Sequence, residues 1–128
     1  MNLLLDSHVF VWMRQEPHRI SIDAIMEMLM PSNRLFLSNA SIWELQIKIK
    51  LEKFNFSEKL EVVVSDECRE NDIEILPISL SHIYNLAEIA AHHKDPFDRM
   101  LISQAMVEDM TIVSTDKRFS EYDVKVLW

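Results

Sequence analysis

The sequence contains no glycine among its 128 residues. Loops that cradle phosphate need glycine for close backbone approach, so neither a P-loop nor a dinucleotide fingerprint is present. The one cysteine, Cys68, has no partner for an internal disulfide, which fits a reducing, cytoplasmic setting. It falls in a helical stretch and reads as a packed residue. Apolar runs are far too short to cross a bilayer, and the start of the chain lacks the basic segment of a signal peptide, so no membrane association is expected. Cationic residues are scarce too: 13 Lys and Arg against 21 Asp and Glu leave a formal charge of -8. That balance argues against a protein gripping nucleic acid over its whole surface, unless cations in a site reverse the local sign.

What remains is the material of a folded domain. Hydrophobic residues at 48% and charged residues at 27% describe a globular chain rather than a disordered one. Residues 1–128 are read as a single domain, with no repeat, low-complexity segment or linker. Short apolar, often β-branched runs at Met1–Leu5, Arg34–Ser38, Ile73–Ile78, Thr111–Ser114 and Val124–Leu127 predict strands. Helical spacing lies between them. One segment follows Asp6 and Ser7 to about Arg14. A second is capped by Ser21 and carries an apolar face of Ile22, Ile25, Met26, Leu29 and Met30. A third opens at Ser41, with Glu44 at the capping-box distance and Ile42, Leu45 and Ile49 on its apolar side. A fourth is capped by Ser57 and reaches about Asn71; a fifth starts at Ser79 or Ser81. The last follows Asp95 and Pro96, a cap and a first-turn residue, and ends at Asp109. Strands alternating with helices predict an α/β domain whose mainly parallel sheet is covered on both faces.

In such a fold the carboxyl ends of the strands share one edge, where ligands bind. Asp6 follows the first strand, Glu44 lies in the helix after the second, and Asp116 follows the fourth. Asp98 sits in the first turn of the helix leading into that fourth strand. It joins the others only if the chain from His82 to Lys94 returns to the same edge. Four converging carboxylates would raise one another's pKa, and a divalent cation is the economical neutraliser. An all-oxygen set favours Mg²⁺ or Mn²⁺ over Zn²⁺, and such a metal can activate water and stabilise charge on a phosphodiester. Each acid also has a plainer reading. Asp6 would cap a helix, Glu44 would close the box with Ser41, Asp98 would favour a helix dipole, and Asp116 would serve a turn.

The segments LLLDSHVFVW, SNASIWELQIK, DPFDRMLISQA and IVSTDKRF, in that order, resemble the PIN-domain family. More narrowly, they are similar to the VapC toxins of bacterial toxin–antitoxin pairs. The resemblance covers almost the whole chain. It implies a three-layer α/β/α sandwich with a mainly parallel sheet and metal-dependent cleavage of structured RNA to a 5′-phosphate product. It further implies a homodimer or higher assembly and a cognate antitoxin. The family's acidic quartet carries over onto Asp6, Glu44, Asp98 and Asp116 as catalytic and metal-binding residues. Ser7 stands where many relatives have threonine and keeps the hydroxyl. Asp95 is an added acid, read mainly as the cap. Asp109 or Met110 occupies a helix–strand turn where such proteins often have glycine.

Lys48, Lys50, Arg99, Lys117 and Arg118 flank the proposed ligands and are candidate RNA contacts, while Lys53 extends the same basic helix edge. His92 and His93 could hold a metal but are expected to be exposed in a loop. Trp12 and Trp43 could stack bases but at helical spacing are expected in the core, and the eight methionines are expected to be core filler. Two rival functions stand beside the nuclease. A phosphoacceptor or phosphatase would need paired acids after strand one and an Asp after strand three, where the chain offers Asp6-Ser7-His8 and Ile78-Ser79. A non-catalytic interaction module would use the acids structurally.

Overall fold

Five short strands run parallel through the molecule: β1 (Asn2–Leu5), β2 (Arg34–Ser38), β3 (Ile73–Leu76), β4 (Thr111–Val113) and β5 (Lys125–Leu127). The computed structural model describes all residues from Met1 to Trp128 and orders the strands β3-β2-β1-β4-β5. All four pairings are parallel, so the sheet is wholly rather than mainly so. The helices are α1 (Ser7–Gln15), α2 (Ile22–Leu29), α3 (Asn39–Lys50), α4 (Leu60–Asn71), α5 (Leu80–Asn85) and α6 (Pro96–Glu108).

Alternation along the strands divides the interior in two. Leu3, Leu5, Leu35, Leu37 and Val113 face a core completed by Val9 and Phe10 of α1, Leu45 of α3 and Val63 of α4. Leu4, Phe36 and Ile112 face the opposite way, against Leu101, Ile102 and Ala105 of α6 and Phe119 beyond β4. Strands buried on both faces need apolar residues at every position, which is why β1 reads Leu-Leu-Leu. The result is the expected α/β/α sandwich.

Several helix ends follow the sequence and several do not. Ser21 caps α2, and Asp95 Oδ1 accepts the amides of Phe97 and Asp98 at 2.9 and 3.1 Å, with Pro96 in the first turn of α6. The cap of α3, however, is Ser38, whose hydroxyl accepts the Ala40 amide at 3.0 Å. Ser41 lies inside that helix with its buried hydroxyl unpaired, so the expected box with Glu44 does not form. Helix α4 begins after Lys59 without a side-chain cap, two residues beyond Ser57. Ser79 caps α5 in a box closed by His82, whose Nδ1 accepts the Ser79 amide at 3.0 Å.

Left-handed backbone falls at Glu52, Asp72 and Asp109, with φ of 59°, 55° and 53°. Asp72 and Asp109 close α4 and α6 just before β3 and β4, the turns where glycine would be least strained. Aspartate is among the few other residues that tolerate this region.

Of the apolar face expected of α2, only Ile25 turns inward. Ala24, Ile25 and Met28 pack on the body, while Ile22, Met26 and Leu29 are 76%, 63% and 75% exposed. Periodicity located a stripe, but the packed side is the neighbouring one, shifted around the helix. With Met1, Met26 and Met30 all at the surface, methionine is not uniformly core filler.

Candidate metal centre

The carboxyl ends of β1, β2 and β4 open onto one edge, and the four acids gather there in two pairs. Asp6 is fixed at the end of β1 by its amide, which donates to the Val113 carbonyl of β4 at 3.1 Å. Its carboxylate is buried and makes no capping bond to α1, so the plain capping role is not the one it plays. Oδ2 instead accepts the Ser114 hydroxyl at 2.8 Å, and Oδ1 lies 3.4 Å from Ser7 Oγ. The same Ser7 hydroxyl sits 2.8 Å from Glu44 Oε1, linking the second acid to the first. Glu44 is also buried, and its nearest cation is Lys48 Nζ at 3.7 Å from Oε2.

The second pair is held by cationic and imidazole groups. The chain between α5 and α6 does return to this edge, placing Asp98 in the first turn of α6. Its Oδ2 lies 2.6 Å from His93 Nε2. Burial, reinforced by the charges of Asp95 and Asp6 and opposed by the His93 bond, pushes the Asp98 carboxyl up to about 6. Asp116 sits beyond β4, where its amide donates to Ser114 Oγ at 3.0 Å. Arg118 grips the Asp116 carboxylate, with Nη2 2.7 Å from Oδ2 and Nε 3.0 Å from Oδ1, which holds that carboxyl below the usual range. Ligand atoms of His93, Asp98 and Asp116 all fall within 4.8 Å of one another.

Three positions gained importance that sequence reasoning had not given them. His93 was expected at the surface; it is 7% exposed because it closes over Asp98. Ser114 both donates to Asp6 and receives the Asp116 amide, so one hydroxyl couples the pairs. Ser7 bridges Asp6 and Glu44. The only available signals were hydroxyl residues beside the acids, in Asp6-Ser7 and Ser114-Thr115-Asp116.

The candidate RNA contacts separate. Lys50 and Lys117 are exposed, Lys48 reaches Glu44, and Arg118 is exposed but engaged with Asp116. Arg99 is committed elsewhere: its guanidinium donates to the carbonyls of Ile89, Ala90 and His93 at 3.0–3.3 Å. It therefore clamps the loop that carries His93. Trp12 packs partly against the core, but Trp43 is 60% exposed, contrary to expectation. Its ring stands edge-to-face with Phe97, centroids 5.2 Å apart.

Chemically, the donor set suits a hard divalent cation. Asp6 and Glu44 are buried with hydroxyl donors and one lysine, and burial, with the charges of Asp95 and Asp6, disfavours the ionised form of Asp98. A wholly parallel α/β/α domain with acids gathered at the carboxyl edge defines the class of fold and site. The sequence matches the PIN domain over residues 3–125, and the chain belongs to the PIN-domain family.

Solved structures agree on the fold. VapBC2 from Rickettsia felis, bound to a DNA fragment from its promoter, superposes with a TM-score of 0.76 at 19% identity, covering 99% of this chain and 98% of that one. DNA-bound VapBC from Salmonella typhimurium gives 0.72 at 14% identity, covering 99% and 97%. VapBC-1 from nontypeable Haemophilus influenzae gives 0.66 at 17% identity, again covering 99% and 97%. No curated protein sequence matches the chain.

Proposed function

We propose that this protein is the toxin of a toxin–antitoxin pair, a metal-dependent endoribonuclease that hydrolyses RNA phosphodiesters. The observation that carries the reading is the pair of buried acids, Asp6 and Glu44, tied by Ser7 Oγ beside the Asp98–Asp116 pair. Hydroxyls make the closest contacts to those two carboxylates, while Lys48 at 3.7 Å from Glu44 and His8 at 3.9 Å from Asp6 stand farther off, which leaves room for a ligand. Asp6, Glu44, Asp98 and Asp116 would hold Mg²⁺ or Mn²⁺, and His93 orients Asp98 through Oδ2. A divalent ion bound there supplies Lewis acidity toward the phosphodiester and lowers the pKa of a water. Arg118 keeps Asp116 ionised, and Lys48, Lys50, Lys117 and the outer face of Arg118 supply the cationic rim that an overall charge of -8 otherwise denies to RNA.

The structural neighbours are toxin–antitoxin complexes, which supports a protein antitoxin as partner here. The outward apolar face of α2 and the adjoining open groove of about 540 Å³, lined by Met13, Ile20, Ile25 and Met28, give that partner an apolar surface away from the acids. A homodimer or higher assembly is part of the same proposal.

The deciding experiment is RNA cleavage by purified, partner-free protein with Mn²⁺. Cleavage that EDTA stops, and that a folded Asp98→Asn variant lacks, is the expected result. A folded protein that binds an antitoxin yet cleaves neither structured nor single-stranded RNA with Mn²⁺ is instead an interaction module. The phosphoacceptor alternative draws no support from the region after β3, where Ser79 serves as a helix cap.

A further inference from the structure

We propose that Trp43 and Phe97 form a stacking platform for an unpaired nucleobase of the RNA, next to the phosphate that is cleaved. The inference rests on the ribonuclease reading and adds the form of substrate it takes. Trp43 immediately precedes Glu44 on α3, and Phe97 immediately precedes Asp98 on α6. The aromatic pair thus joins the same two helices that carry two of the four acids. Its edge-to-face geometry, with rings 81° apart, pins the indole while using only part of its surface. The remaining 60% lies in water, whereas Leu45, two residues on, is buried.

An apolar ring kept open beside a charged site suits a ligand that is itself a flat π-system attached to an anion. Lys48 reaches Glu44 and Arg118 reaches Asp116, so the acids beside the platform carry cations that a backbone phosphate can meet. A base inside a duplex has both faces occupied by its neighbours, and only an unpaired one, in a loop or single strand, has a face to offer. A protein partner is the competing occupant, because Trp43 heads an exposed stripe with Ile47 and Leu51 on α3. Of these three, only Trp43 is next in sequence to one of the acids and packs on a ring next to another. One ring satisfies a base, while a stable protein interface needs roughly 800 Å² from each partner.

The test uses the full chain in an Asp98→Asn background, which keeps RNA intact, with Mn²⁺ present. Adding Trp43→Ala should weaken binding of a hairpin RNA with an unpaired loop by about 5- to 100-fold. Trp43→Phe should restore most of that loss, and the weak binding of a blunt duplex should be the same in all variants. Trp12 and Trp128 pack on one another, so quenching of tryptophan emission by the hairpin should report Trp43 and disappear in Trp43→Phe. Hairpin binding unchanged by Trp43→Ala rejects the platform but leaves wild-type cleavage, and with it the ribonuclease reading, standing. A change confined to oligomeric state assigns the stripe to protein and also rejects it. Wild-type protein that neither binds nor cleaves RNA rejects both proposals together.

Discussion

The two halves of the acidic site are built by opposite means. Asp6 and Glu44 are anchored by hydroxyls, Ser114 and Ser7, on residues fixed to the sheet or its first connections. Asp98 and Asp116 are anchored by a histidine and an arginine, from segments outside the sheet. A hydroxyl orients a carboxylate and leaves its charge in place. A guanidinium orients it by consuming that charge, so a cation arriving at Asp116 must compete with Arg118. Lys48 and His8 stand 3.7 and 3.9 Å from Glu44 and Asp6, farther than Arg118 from Asp116 at 2.7 Å, so under the proposed function the first half opens to a metal more readily than the second.

The largest test removes the acids themselves. Asp6→Asn, Glu44→Gln and Asp98→Asn should each lower Mn²⁺-dependent RNA cleavage by more than about 100-fold while the circular dichroism stays native. Mn²⁺ at 100 times its Kd should raise wild-type stability by about 2.7 kcal/mol in a thermal melt, a gain each variant should largely lose. A wild-type melt insensitive to millimolar Mn²⁺ would count against a shared site.

The next test addresses the anchors. Ser7→Ala should weaken Mn²⁺ binding by about 10- to 100-fold, and Ser7→Thr should recover it. Arg118→Gln should not weaken Mn²⁺ binding, because it frees Asp116. It should weaken RNA binding and reduce the slope of log affinity against log salt by about 1. Equal losses of Mn²⁺ affinity in Ser7→Ala and Arg118→Gln would erase the distinction between the halves.

A third test uses pH on metal-free protein. The Asp98 carboxyl lies at about 6 in the fold, above its ordinary value near 4, so the folded state binds the proton more tightly than the unfolded chain does. Stability from this group is thus full below about pH 4 and is lost as pH rises through 6, with an effect on the order of 1–3 kcal/mol. Asp98→Asn should remove that loss, making the variant more stable than wild type at pH 7.5 and comparable near pH 4. Denaturant melts at the two pH values measure it, and a wild type equally stable relative to the variant at both would contradict it.

The smallest effect concerns the missing glycine. Asp109→Gly relieves a left-handed strain of about 1–2 kcal/mol but adds freedom to the unfolded chain, so a net gain of about 0.5–1 kcal/mol is expected in urea melts. A loss of stability would mean that Asp109 holds the turn by something other than tolerance.

Much of this was legible because the signals were local. Unbroken apolar runs mark strands buried on both faces, and Asp95-Pro96 marks the start of α6 whatever surrounds it. Asp6 and Asp116 follow strands, so once the sheet is parallel their common edge is settled. His93 was not legible, because its burial depends on Arg99 drawing three carbonyls of the preceding loop together. The cap of α3 was misplaced by three residues because Ser38 and Ser41 are chemically equivalent, and only the end of β2 decides between them. On α2, the hydrophobic pattern could not say which of two adjacent apolar stripes would meet the body. Trp43 shows the same limit from the other side: helical spacing suggested core, yet it is exposed and packs only edge-on against the half-buried Phe97.

The central position of β1 has a consequence for the order of events during synthesis. Asp6 is made well before the hydroxyl that orients it, which belongs to Ser114, 108 residues later. The strand that locks its backbone, β4, is also near the end of the chain. Contacts this distant in sequence form only after the intervening loop has been closed, so assembly of the acids is a late step in folding. A growing chain on the ribosome has the residues of the first half long before Ser114, which orients one of them. The acids therefore come together only once β4 is in place, and fragments that stop short of β4 carry half of the acidic site.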